Sequence, residues 1–128
     1  MNRIWHQLHV TTEWITLYAR SIEAPLQNIE GKMMAPATMP IIFWQEFDIP
    51  WLVRSESLIH GSQSFAYEAP LMAGMLLDCE LALTKVERKS GSKGKGILTL
   101  LTHTLTGRCG GQLIFTAETV LIRVGDEH

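Results

Sequence analysis

The stretch Thr38-Met39-Pro40-Ile41-Ile42-Phe43-Trp44-Gln45-Glu46-Phe47 is apolar nearly all round. A helix of that composition has no face to offer to water, so other structure must wrap it on most sides. Pro40 fits such a helix only in its first turn, where the missing N–H leaves no bond unmade. Propensity alone favours a strand, because Ile41, Ile42, Phe43 and Trp44 are β-branched or aromatic. What flanks the segment is therefore decisive.

Upstream, Trp5 to Val10 alternates in character and predicts a short strand. Thr11 and Thr12 offer N-cap hydroxyls, and Glu13 suits the first turn of a helix. Ile15, Tyr18, Ala19 and Ile22 fall on one face of that helix, which is predicted to stop before Pro25. Residues 25–36, with Pro25, Gly31 and Pro36, read as an irregular loop. Downstream of Leu58 the pattern is antiparallel sheet. Phe65 and Tyr67 share a face, and Leu77, Cys79, Leu81 and Leu83 alternate with Asp78, Glu80, Ala82 and Thr84. The glycine- and serine-rich run 90–96 and the turn Arg108-Cys109-Gly110-Gly111 separate three long strands, the last over 112–124. Helices early and an antiparallel sheet late give an α+β chain. A sheet curled around the apolar helix satisfies both parts within a single domain, residues 1–128.

Composition narrows the partners. With a formal net charge of −2 there is no basic excess of the kind that neutralises a phosphate backbone, so no nucleic-acid partner is expected. The longest apolar runs are too short to span a bilayer, and no signal peptide is read at the N-terminus. Cys79 and Cys109 lack CxxC spacing and suit a reducing, cytoplasmic setting. His6, His9 and His103 lack metal-ligand spacing, so no metal site is expected.

Four pieces of the chain, in order, resemble the N-terminal, dehydratase-like hot-dog domains of the MaoC-like dehydratase superfamily. They are Tyr18-Ala19-Arg20, Met34-Ala35-Pro36-Ala37-Thr38-Met39-Pro40, Leu58-Ile59-His60-Gly61-Ser62-Gln63-Ser64-Phe65-Ala66-Tyr67 and Pro70-Leu71-Met72-Ala73-Gly74. The resemblance implies a hot-dog fold, an antiparallel sheet wrapped around a central apolar α-helix. It also implies an acyl thioester of coenzyme A or acyl carrier protein as substrate, no further cofactor, and a homodimer or a heterodimer with a catalytic MaoC-like subunit.

Complete members hydrate trans-2-enoyl thioesters, or run the reverse dehydration, with an aspartate and a histidine in a loop of the form Asp-x-Asn-Pro-Leu-His. Water must lose a proton while another reaches the α-carbon, which is the reason for the pair. The matching stretch here is Ser21-Ile22-Glu23-Ala24-Pro25-Leu26-Gln27. Pro25 and Leu26 match, Glu23 stands near the aspartate position, one residue is missing, and Gln27 replaces the histidine. A carboxamide does not exchange protons near neutrality, so the dyad is broken. The family also polarises the thioester carbonyl with a backbone N–H at the start of the central helix, a place filled here by Ala37 beside Thr38.

The resemblance therefore implies an acyl-binding accessory subunit of an (R)-specific enoyl-CoA hydratase or 3-hydroxyacyl-thioester dehydratase. The alternatives are a homodimeric thioesterase using Glu46 or a Glu23/His60 pair, and a non-enzymatic acyl-CoA-binding module. Glu23 and His60 are the candidate catalytic residues. Ala37, Gln27 and Thr38 are the candidate substrate contacts, with Lys93 and Lys95 placed to meet the phosphates of coenzyme A or an acidic carrier protein.

Overall fold

A computed structural model describes residues 2–52, 58–90 and 96–125. The chain opens with strand β1 (Arg3–His9) and helix α1 (Thr12–Ser21), followed by two short strands, β2 (Gln27–Ile29) and β3 (Lys32–Met34). A central 3₁₀ helix, Met39–Glu46, precedes four strands: β4 (Leu58–Tyr67), β5 (Leu76–Ser90), β6 (Ile97–Cys109) and β7 (Gln112–Gly125). The main sheet is antiparallel with strand order β1-β5-β6-β7-β4, so β1 and β4 are its edges.

Helix α1 starts where its sequence says. Thr11 is the N-cap and its Oγ1 accepts from the Trp14 amide at 3.1 Å, satisfying one otherwise orphaned donor. Ile15, Tyr18 and Ala19 are buried, but Ile22 is 45% exposed because the helix has already ended. The helix stops before Pro25, as expected, and its closure is made by backbone bonds ahead of the proline. The Ala24 amide donates to the Ala19 carbonyl (2.8 Å) and the Glu23 amide to Arg20 (3.2 Å), a Schellman closure with Glu23 left-handed at φ 55°.

Two further expectations are corrected. Residues 25–36 are not an irregular loop throughout, since Gln27–Ile29 and Lys32–Met34 pair as a ribbon. Its turn places Glu30 and Gly31 at φ 50° and 80°, the two positive angles a two-residue hairpin requires. The central helix is 3₁₀ rather than α. Its bonds run i→i+3: the Met39, Ile41 and Phe47 amides donate to the carbonyls of Pro36, Thr38 and Trp44. The aromatic and β-branched side chains that follow Pro40 are poor α-formers, so packing rather than helix propensity holds the segment.

That packing is aromatic at its centre. Phe43 is fully buried, with ring centroids 5.1 Å from Trp14 of α1 and 5.8 Å edge-on from Phe115 of β7. Leu77, Cys79 and Leu81 of β5, Leu105 of β6 and Ala117 of β7 complete the wall facing it. The predicted alternation on β5 holds for these positions. Cys79 and Cys109 are free thiols, and burial pushes that of Cys79 up to about 12, with Asp78 adding to the shift. No helix is long and apolar enough to cross a membrane among the described residues.

Candidate functional site

Where the β2–β3 ribbon, the start of the central helix and the end of β4 meet, they enclose a cavity of about 550 Å³. Its deep wall is apolar: Ala35 and Leu71 are buried, and the Ala35 amide donates to the Leu71 carbonyl at 2.8 Å, tying the two segments together. Its rim carries the polar groups, Gln27, Glu68 and the backbone at Ala37. An apolar pocket with a few convergent polar groups is the usual architecture of a small-molecule site.

Two tyrosines fix the start of the central helix beside this cavity. Tyr67 Oη donates to the Ala37 carbonyl at 2.6 Å, and Tyr18 Oη shares a 2.6 Å hydrogen bond with Thr38 Oγ1. Burial, reinforced by Tyr18 nearby, raises the Tyr67 phenol well above its ordinary value and keeps it a neutral donor. No acceptor takes the Ala37 amide among the described residues.

The expected site residues divide. Gln27 and Ala37 line the cavity, while Thr38 is engaged with Tyr18 at its border. Glu23 is exposed and shapes the α1 terminus, next to the lining residue Ala24 but not itself on the wall. His60 is exposed on β4 in register with Leu121, whereas Tyr67 is in register with Phe115, roughly 20 Å further along the strand pair. The structure does not bring Glu23 and His60 together at the cavity. Glu46 ends the central helix and lines a different, shallower cleft with His6 and His9. Lys93 and Lys95 lie outside the described residues. The strand ends that flank them are at the far end of the sheet, where Ile97 is in register with Gly125. No group of side chains suited to a metal ion occurs among the described residues.

Sequence reasoning missed Tyr67 and Glu68 as lining residues. The signal was present in the quoted strand and the Pro70-Leu71 turn after it, but which end of a strand meets a cavity is a tertiary matter. It also missed His103, which is fully buried on β6. Trp51 Nε1 donates to its Nε2 at 2.9 Å, the other ring nitrogen lies 3.2 Å from the Leu101 carbonyl, and Trp44 packs edge-on at 4.9 Å. Burial lowers its pKa against the opposing pull of the Leu101 carbonyl, so the ring is neutral and both nitrogens are occupied.

A family model described as the FAS1-like dehydratase domain region matches residues 6–116. The chain belongs to that family. The FAS1-like dehydratase domain is similar to a UPF0336 protein of Thermobifida fusca, 30% identical over 100 residues, 73% of this chain and 62% of that protein. It thus spans less than two thirds of that relative's length. Among solved structures it is similar to the C-terminally truncated HadBC (3R-hydroxyacyl-ACP dehydratase) complex of Mycobacterium tuberculosis, with a TM-score of 0.70, 18% identity, and coverage of 94% of this chain and 93% of that one. The MaoC-like dehydratase of Rhodospirillum rubrum gives 0.69 at 11% identity over 99% and 93%. The ChsH1-ChsH2 complex of M. tuberculosis gives 0.70 at 10% identity over 98% and 84%. The fold of this FAS1-like dehydratase domain is accordingly the hot-dog fold of MaoC-like dehydratases.

Proposed function

We propose that this chain binds acyl thioesters and serves as the accessory subunit of an (R)-specific enoyl-CoA hydratase or 3-hydroxyacyl-thioester dehydratase, completed by a catalytic hot-dog partner. The observation that carries the proposal is Gln27 at the cavity rim. It fills the place where complete relatives hold an acid–base histidine, and a carboxamide moves no proton at neutral pH. Around it the site keeps what binding needs: an apolar wall, and a backbone amide at Ala37 to meet a carbonyl oxygen. Two of the similar structures are themselves complexes of two named components, which supports a paired arrangement. The free edge of β4 is the surface across which a second sheet would pair.

Loss of the enoyl-thioester absorbance of crotonyl-CoA tests this, with the purified chain alone and with a co-expressed MaoC-like subunit. The expected result is silence alone and turnover in the pair. Turnover by the chain alone overturns the accessory role and makes Gln27 irrelevant to chemistry. Release of free thiol from acyl-CoA by the chain alone overturns it in favour of a thioesterase.

A further inference from the structure

The cavity wall is electrostatically one-sided. Among the described residues that line it, Glu68 is the sole side chain that is charged at neutral pH, and no lysine or arginine stands with it. Its backbone is held rather than loose: the Glu68 and Ala69 amides both donate to the Ile114 carbonyl of β7, at 2.9 and 3.4 Å. These bonds fix the Glu68 backbone on the lining that it shares with Gln27, Ala37, Ala35 and Leu71, and its side chain is exposed. A ligand that places its alkyl part against Ala35 and Leu71 brings its head group to this rim. There it finds an unpaired amide, a neutral carboxamide and a negative charge.

We infer that Glu68 is a specificity-determining residue that biases the cavity toward acyl ligands with an uncharged head group, thioesters, over the corresponding free carboxylates. The inference rests on the acyl-binding reading above. It gives the site a means of rejecting the hydrolysis product of its own ligand, which has the same alkyl chain and differs chiefly in head-group charge. Two like charges about 6 Å apart at a solvated rim weaken binding about threefold, and salt reduces the effect.

The test measures binding of an acyl-pantetheine thioester and of the free fatty acid of the same chain length, by calorimetry at low and high salt. Wild type, Glu68→Gln and Glu68→Lys are compared. Glu68 is exposed, so neither substitution disturbs the core. The expected result is that the ratio of free-acid to thioester affinity rises about threefold in Glu68→Gln and about tenfold in Glu68→Lys, with both gains shrinking in high salt. Equal free-acid affinities across the three proteins, with thioester binding intact, overturn the role of Glu68 and leave the acyl site standing. Failure of all three to bind either ligand overturns the acyl-binding reading itself, and this inference with it.

Discussion

Glu23 shows how one residue can satisfy a motif by position and a fold by backbone. The resemblance sets it near an aspartate position of the motif, and the structure gives it the left-handed position of a helix C-terminal closure, φ 55°, where glycine is usual. A side chain there costs about 1 kcal/mol relative to glycine. Glu23→Gly is accordingly expected to raise stability by about that amount, read as a higher urea midpoint at unchanged slope. If the carboxylate has no chemical role, acyl-thioester binding is unchanged as well. The Schellman closure was not legible in the sequence, because Glu23 lacks the glycine signature that would have announced it.

At the scale of elements, one close approach within the sheet sets the ring against which the central helix packs. Gly107 of β6 lies in register with Phe115 of β7, and a methyl group on Gly107 would collide with the Phe115 ring, which packs edge-on against Phe43. Gly107→Ala is expected to destabilise the domain by about 1–3 kcal/mol, the usual cost of overpacking, visible as a lower thermal midpoint with loss of near-ultraviolet aromatic ellipticity. The strands themselves were legible: β5, β6 and β7 lie where the alternation and the glycine turns put them. The β2–β3 ribbon was not, since three-residue strands are too short to show a period and their stability comes from neighbours. The Met34–Met72 bridge and the Ala73 amide bonded to Met33 tie the ribbon to the turn after β4.

At the scale of the whole molecule, His103 joins three parts: β6, which carries it, Trp44 of the central helix, and Trp51 of the segment that follows. Its flanking positions in register are Leu83 on β5 and Thr119 on β7, and Thr119 in turn bonds Gln63 on β4, so its in-register sheet neighbours are uncharged. The folded protein holds the imidazole neutral, with a pKa below the ordinary 6.5, so the unfolded chain takes up the proton more readily. Stability contributed by this residue is full above about pH 6.5 and falls as pH drops toward the folded value. Urea midpoints measured from pH 8 to pH 5 should fall more steeply for wild type than for His103→Gln, whose carboxamide still accepts from Trp51 and does not titrate. Parallel curves would show that protonation of His103 is not linked to unfolding.

The sequence by itself determined the strand pattern, the α1 face and N-cap, the apolar segment that demands a covering sheet, and the absence of a histidine at position 27. Each follows from a local period, a local hydrogen bond or a residue's own chemistry. Tertiary structure decided the rest. Whether Thr38–Phe47 coils as α or 3₁₀ was left to packing, in which Phe43 seats between Trp14 and Phe115, since Pro40 in the first turn is compatible with either. That Tyr67 and Glu68 meet Gln27 and Ala37, while His60 on the same strand does not, is set by the length of β4 and its register with β7. Register is a sum of contacts between distant segments, and no window of sequence contains it.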